Sequence, residues 1–443
     1  MTQHRTRSVT ASWWIRVSTT LLGAVLAVGV ATSAAMAGCP KPPPPPGISG
    51  QLAYVTNSIS DNASVIDTAT NTVAATINVG DSPTAVAVSP NGARAYVTNL
   101  GSDDVSVIDT ATNTVLTTIG AGGAPTGVAV TPNGARAYVA NSQSGDVSVI
   151  DTATNTLLTT IEVGPGTSPF AVATSPDGSR IYVSLTSGGQ GASVAVIDTA
   201  TNTVSATISF GPAFGLAVTP DGSQLYVATT DTTDLNAVTV VNTVTNTVSA
   251  TIDTGANTAP FGVAVTPDGN RVYVSLSGSA GTGAVAVIDT ATNAISTTIN
   301  VGEVPLGVAV TPDGSHVYVA NNDSGTVSVI DTTTNTVSAT IGVGGGPAGV
   351  AIAAVAMSPS PGLKGQVTSH TPVKVRRKPE RRATAIGSLS PGRIVTLECR
   401  LETGYGTEEK DGTWYKLAEK PRGWVQATQV RLLNPPAPPC HVA

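Results

Sequence analysis

The chain has 443 residues, of which 11% are charged and 4% aromatic, with 46 Gly and 30 Pro. So few charges exclude a coiled coil, and a hydrophobic fraction of 41% excludes a disordered polyampholyte. At ~150 residues per domain the length leaves room for about three folded units. Charge is unevenly spread. Residues 1–46 hold four basic side chains and no acid, residues 47–360 hold four Arg against 19 Asp and two Glu, and residues 361–443 hold six Lys and eight Arg against one Asp and six Glu. An acidic body joined to a basic tail marks a boundary between parts that meet different partners.

Residues 1–38 read as an export signal. Arg5, Arg7 and Arg16 precede an apolar core that ends in small residues, Ala35-Met36-Ala37. The stretch 21–37 is the only one to approach membrane-spanning length. Two processing outcomes compete: cleavage after Ala37, or lipidation of Cys39. Met36-Ala37-Gly38-Cys39 resembles a bacterial lipobox, although Met36 in first place and Pro40 after the cysteine depart from it. The cysteine count favours the lipid. Cys399 and Cys440 can bridge within the basic tail, which leaves Cys39 as the odd one of three. Residues 39–49 form a Pro-rich tether, stiff across Pro42 to Pro46. The expectation is an exported protein, extracellular or in the cell envelope, that meets the membrane only through a lipid anchor.

Repetition dominates residues 50–355. One tyrosine recurs as Tyr54, Tyr96, Tyr138, Tyr182, Tyr226, Tyr273 and Tyr318, and an acid or amide recurs as Asp67, Asp109, Asp151, Asp198, Asn242, Asp289 and Asp331. Each unit holds four short β-branched runs. TPNG or TPDG joins the first two, and a Thr/Asn-rich turn joins the last two. Four strands in 42–47 residues is the period of a propeller blade. The repeats open on a second strand and finish on a first one, so pairing these ends completes a seventh sheet. This predicts an all-β chain: a seven-bladed β-propeller closed by its N- and C-terminal strands.

Tyr54-Val55-Thr56-Asn57 and Tyr96-Val97-Thr98-Asn99 carry the signature of YVTN-family propeller repeats, which the body resembles over about 300 residues. Departures are small: YVAN at Tyr138 and Tyr318, YVSL at Tyr182 and Tyr273, YVAT at Tyr226. The resemblance implies the fold and leaves the activity open. Many members resemble surface-layer or binding proteins, and distant relatives include lactonases.

Catalytic groups are scarce in the body, which holds one His, His316, two Glu, Glu162 and Glu303, and no Lys, Cys or Trp. No catalytic, metal-binding or cofactor-binding residue is assigned, and no cofactor is expected. His316 occupies a polar position just after a turn, where other repeats have Arg94, Arg136, Arg180, Gln224 and Arg271. The recurrent Asp reads as a turn cap and the tyrosines as packing between blades. A lactonase-like hydrolase or lyase is the alternative, and it requires Glu162, Glu303, Asp231 and Asp234 to converge near the axis.

Asymmetry is the better guide to a site. The step from the tyrosine to the recurrent Asp or Asn is 13 residues in four repeats and 16 in the three consecutive ones starting at Tyr182, Tyr226 and Tyr273. The longer loops, 187–192, 229–236 and 277–283, therefore sit side by side, either as a site or through drift among duplicated repeats. Asp231 and Asp234 lie within them. Phe170, Phe210, Phe214 and Phe261 fall in the same sector, and Phe170, Phe214 and Phe261 with the two acids are candidates for a ligand rim.

After a linker at 356–365, residues 366–433 change character. Val373-Lys374-Val375-Arg376, Ile386-Gly387-Ser388-Leu389, Pro391-Gly392, Gly412-Thr413-Trp414-Tyr415-Lys416 and Gly423-Trp424-Val425 resemble, in order, a bacterial SH3-like β-barrel. Such modules resemble binders of cell-wall peptides or other wall polymers. Trp414, Tyr415 and Trp424 would form its core or groove. Lys374, Arg376, Arg377, Lys378, Arg381 and Arg382 could attract an anionic wall polymer, or form a solvated loop. Residues 434–443 are a Pro-rich tail. Nucleic acid is not an expected partner. The whole reads as an envelope-associated binding or scaffold protein, its propeller facing envelope proteins or glycans and its barrel holding the wall.

Overall fold

The computed structural model describes residues 51–164, 166–187, 192–230, 236–278 and 283–353, together with seven strands between Lys364 and Leu432. By internal contacts the chain divides into two units, with Gln51–Ala356 in one and Met357–Ala443 in the other. Among the described residues no helix is long and apolar enough to cross a membrane.

The first unit is seven four-stranded antiparallel sheets. Their inner strands are Pro347–Ala353 in the first blade, then Pro83–Val88, Pro125–Val130, Pro169–Thr174, Ala213–Val218, Thr258–Val265 and Pro305–Val310 in blades two to seven. Each inner strand packs on the next, and the last on the first, so the ring is closed. Closure is as expected: Pro347–Ala353 pairs with Leu52–Asn57, Tyr54 standing opposite Ala351. The middle strands are buried because each sheet is covered on both faces by its neighbours, which explains their near-continuous Val, Ile and Ala. Outer strands such as Thr114–Gly120 face solvent along most of their length and are rich in Thr.

The four-letter motif can be read one residue at a time. The tyrosine ring is fully buried, and its hydroxyl crosses the seam to the next blade: Tyr54 donates to Asn113 Oδ1 (2.7 Å), Tyr226 to Asn293 (2.7 Å), and Tyr318 to Asn71 (2.8 Å), the last joining blade seven to blade one. Tyr96, Tyr138 and Tyr273 reach Asn155, Asn202 and Asn335 in the same way. Burial pushes the Tyr96 and Tyr226 hydroxyls up to about 12, so they remain donors at any ordinary pH. At the fourth seam, the matching amide oxygen of Asn246 is buried without a partner.

The valine is core. The third residue, when it is Thr or Ser, fills a bulge in the inner strand. Thr98 Oγ1 accepts the Ala85 N–H (3.0 Å) and donates to Thr126 O of the next blade (2.8 Å). Thr56, accepting from Gly349 N, and Ser275, accepting from Gly262 N, repeat the arrangement toward Thr84 O and Leu306 O. The asparagine fastens the short loop that follows: Asn99 Nδ2 donates to Asp104 Oδ1 (2.6 Å) and Ser106 Oγ (2.9 Å), and Asn141 does the same to Asp146 and Ser148.

The turns between third and outer strands satisfy their own amides. Asp151 Oδ1 accepts from the amides of Ala153 (2.9 Å) and Thr154 (2.8 Å). Donation from the Thr154 and Thr201 amides, the largest cause, holds the carboxyls of Asp151 and Asp198 below the usual range. Asn242 accepts from Val244 and Thr245 as an Asp would, so replacing the seventh Asp preserves the cap. The replacement is matched across the strand: Gln224 stands opposite Asn242, whereas Arg94 stands opposite Asp109 and bonds it at 2.8 Å. Each turn then needs one left-handed residue, and Asn takes it in all seven, for example Asn71 at φ 53° and Asn335 at φ 53°. In six of the seven turns that asparagine is also the acceptor for a tyrosine.

The second unit contributes Lys364–Val367, Val373–Arg376, Ala385–Leu389, Ile394–Thr403, Gly412–Leu417, Trp424–Gln426 and Val430–Leu432 to one sheet, in the order third, second, sixth, fifth, fourth, first, seventh. Lys374, Cys399, Trp414 and Trp424 lie in these strands. Cys39, Cys440, Arg377, Lys378, Arg381 and Arg382 lie outside the described residues.

Candidate binding site at the channel mouth

In every blade the start of the inner strand and the end of the second strand share one edge of the sheet. That face of the ring carries the connections entering the inner strands and the loops between second and third strands. The opposite face carries the TPDG hairpins and the Asp-capped turns.

Phe170, Phe214 and Phe261 occupy the same place, near the start of the inner strand, in blades four, five and six. The ring centroids of Phe170 and Phe214 are 5.3 Å apart, edge to face at 86°. Phe214 and Phe261 stack at 5.5 Å and 30°. Phe170 and Phe261 also meet, at 5.5 Å, although a whole blade separates them. Side chains two blades apart can touch only by pointing inward, so the three rings converge toward the axis. Phe170 is 9% exposed, and Phe214 and Phe261 are half-buried. Leu100, from the loop of the second blade, packs against the same apolar cluster.

The corresponding position in the other blades holds Thr84, Thr126, Leu306 and Ala348, all buried. Thr84 and Thr126 use their hydroxyls on the ring itself: Thr84 Oγ1 reaches Thr126 O at 3.1 Å, and Thr126 Oγ1 reaches Phe170 O at 2.8 Å. The mouth is thus aromatic over three blades, while in two others the same position is a buried Thr whose hydroxyl ties one inner strand to the next.

The three aromatic blades are also the three with long loops. Their second strands end at Leu185, Thr230 and Gly278, and the third strands resume at Ala192, Asn236 and Gly283, on the Phe face. Asp231 and Asp234 lie outside the described residues. In these blades the loop-fastening asparagine is replaced by Leu185, Thr229 and Leu276. That substitution was visible in the sequence as YVSL and YVAT, and it belongs with the longer loops. Leu100 was missed. Its signal was a Leu where Ser58, Ser142 and Asn322 stand in other short loops.

Of the four acids, the described pair Glu162 and Glu303 stand on separate blades. Glu162 ends the outer strand of the third blade and Glu303 lies in the connection entering the seventh, both exposed. His316 begins the second strand of the seventh blade on the hairpin face, its Nδ1 at 2.8 Å from Ser315 Oγ, opposite Asp331. Among the described residues no group of three or more His, Cys, Asp and Glu is placed to hold a metal ion.

Seven sheets closed around an axis define a seven-bladed β-propeller. The model of the YNCE-like beta-propeller family matches residues 5–351, and the chain belongs to that family. No curated protein matches the chain. Among solved structures it is similar to hydrazine synthase of Kuenenia stuttgartiensis, at 26% identity and TM-score 0.56, covering 63% of this chain and 92% of that one. It is also similar to a functionally unknown protein from Desulfotomaculum acetoxidans, at 18% identity and TM-score 0.57, covering 68% and 99%. A third likeness is to dihydro-heme d1 dehydrogenase NirN in complex with DHE, at 15% identity and TM-score 0.52, covering 71% and 80%. At these identities the last two concern the fold alone.

Proposed function

We propose that the protein is an exported, envelope-associated binding protein without catalytic activity of its own. Its propeller binds an envelope protein or glycan at the Phe face, and its C-terminal unit is an SH3-like module that holds cell-wall peptide or anionic polymer. The observation that supports the first half is the break in sevenfold symmetry. Three consecutive blades exchange Asn for Leu or Thr, lengthen one loop, and bring Phe170, Phe214 and Phe261 together at the mouth. Half-buried rings converging at a mouth suit a ligand with an apolar surface to bury. The support for the second half is the motif order around Trp414 and Trp424, with Lys374 and Arg376 on the strand Val373–Arg376.

The test is co-sedimentation with purified cell wall, together with capture of envelope components by the full-length chain. A 1–360 truncation is expected to lose wall binding and keep propeller capture. Phe214→Ala with Phe261→Ala is expected to do the reverse. Equal wall binding with and without the tail would refute the anchoring role. An enzymatic reading has one support, that hydrazine synthase and a dehydrogenase share the fold. It requires a reaction abolished by changing residues at this mouth.

A further inference from the structure

Charge is segregated between the two faces of the ring. The basic groups of the propeller, Arg94, Arg136, Arg180, Arg271 and His316, all begin second strands, on the hairpin face. The arginines are engaged there: Arg94 bonds Asp109, and Arg136, Arg180 and Arg271 donate to Thr199 O, Thr243 O and Thr332 O. The Phe face has no cation among the described residues, and its carboxylates fall into two groups. Some serve the fold. Asp61 Oδ1 accepts the Ser82 amide (2.8 Å) and Asp103 Oδ1 that of Ala124 (2.7 Å), each joining a loop to the next blade, while Asp104 and Asp146 hold Asn99 and Asn141. Others do not. Asp81, Glu162, Glu303 and Asp323 carry exposed carboxylates that bond no described residue.

Two of these free acids border the mouth. Asp81 and Glu303 each stand two residues before the proline that starts an inner strand, Pro83 and Pro305. Asp81 O accepts from Gly101 N (3.0 Å), next to the Leu100 that packs against the aromatic cluster. Val304, next to Glu303, packs against the same core as Phe214 and Phe261. A second feature has the same sign. Asn57, Asn99, Asn141 and Asn321 end second strands on this face, fully buried, and no described group donates to their Oδ1 atoms. Their Nδ2 groups are taken by the third strands, so an uncompensated carbonyl end remains in four blades.

We infer that the occupant of the Phe mouth is a basic segment of a partner protein, which sets an apolar side chain on Phe214 and Phe261 and Lys or Arg against the surrounding carboxylates. This rests on the reading that the mouth binds a ligand, and adds the ligand's charge and class. Charge complementarity selects the occupant. Carboxylates and unpaired carbonyl ends without a cation oppose anionic glycans, nucleic acid and acidic proteins, and steer cations inward. The half-buried rings attract Lys or Arg further through their π faces. The free acids are spread over several blades, which suits a polypeptide bearing several cations; a single small ammonium ion would use one or two of them. The hairpin face has neither the rings nor this uniform sign.

Fluorescence anisotropy of labelled synthetic peptides with the full-length protein, across a salt series, tests this. The first peptide alternates Lys or Arg with Trp or Leu, the second has Glu for every Lys and Arg, and the third has Ser for every Trp and Leu. The first is expected to bind and to weaken as salt rises, and the third to bind at least ~10-fold more weakly. The triple variant Asp81→Asn, Glu303→Gln, Asp323→Asn removes charges that the fold does not use. It should bind the first peptide about tenfold more weakly, with a flatter salt dependence. Phe214→Ala with Phe261→Ala should weaken it at least ~10-fold and keep the salt dependence. A first peptide that does not bind, or that binds the triple variant like the wild type, overturns the inference. So does binding of the second peptide that the two Phe substitutions abolish, since it would put an anion at the mouth. Affinity that follows the three acids and ignores the two Phe would fell the mouth reading and the inference with it. Capture of envelope components that follows the two Phe and ignores the three acids would leave the mouth standing and overturn the inference alone.

Discussion

Removing one hydroxyl at the closing seam tests how the ring is held. Tyr318 donates to Asn71 Oδ1 at 2.8 Å and thereby ties blade seven to blade one. Tyr318→Phe keeps the buried ring and deletes only this bond. A net intramolecular hydrogen bond contributes about 1 kcal/mol, and an acceptor left half-buried without a donor adds up to about 1 kcal/mol more. The expected loss is therefore about 1.5 kcal/mol. The fourth seam supplies the internal comparison. Asn246 Oδ1 is already without a partner, so Tyr182→Phe orphans no new amide and should lose about 1 kcal/mol or less. Urea unfolding is the suitable assay, because in a unit of this size 1 kcal/mol moves the thermal midpoint by only about 2 °C. Asn71→Gly, which tolerates the φ of 53°, completes a double-mutant cycle with Tyr318→Phe and should give a coupling of about 1 kcal/mol. Equal losses at Tyr182 and Tyr318, or a coupling near zero, would refute the view that the tyrosine–asparagine bonds hold the seams.

Asn99→Leu, which copies blades four and six without lengthening the loop, should cost about 2 kcal/mol because the bonds to Asp104 and Ser106 are both lost, as read by urea midpoint. Acid should weaken the propeller. The capping carboxyls of Asp151, Asp198, Asp289 and Asp331 are held below their unfolded values by hydrogen bonds to the turn. Their contribution is complete above pH ~4 and is lost as pH falls through the lowered folded values, so the thermal midpoint should drop below pH ~4 and stay flat with respect to these groups above it. Asn242 has no proton to gain, so Asp→Asn at these caps should flatten that dependence. His316→Arg should stabilise by about 0.5 kcal/mol, since a guanidinium would then stand opposite Asp331 as Arg94 stands opposite Asp109; an unchanged urea midpoint would argue against a charge effect at this pair.

The propeller was legible because its signal is repeated: one tyrosine and one Asp or Asn per blade fix the number of sheets, and the mismatched ends foretell the closing pair. The Asp caps were legible too, being local chemistry between a side chain and the next two or three amides. The seam bonds were only half legible. A buried tyrosine needs an acceptor, but nothing in the chain order names Asn113 as the partner of Tyr54, because the contact crosses to another blade. The aromatic cluster was visible as composition, four Phe within one sector, and its convergence was not. Meeting across an intervening blade depends on the ring's curvature. Leu100 went unread because it is an ordinary apolar residue until aligned with the Ser or Asn that fills its place in the other short loops.

Closure by the strand Pro347–Ala353 has a consequence for synthesis. Thr56 receives its amide donor from Gly349, 293 residues further along, so the first blade cannot be completed until nearly the whole repeat region exists. Until then Leu52–Asn57 presents a bare edge, and the growing row of blades is an open arc with two unsatisfied ends. Such long-range pairing makes the last step slow. It also makes the fold a check on completeness: a chain stopped anywhere before residue 347 lacks the strand that closes the ring, and its exposed edge marks it as unfinished.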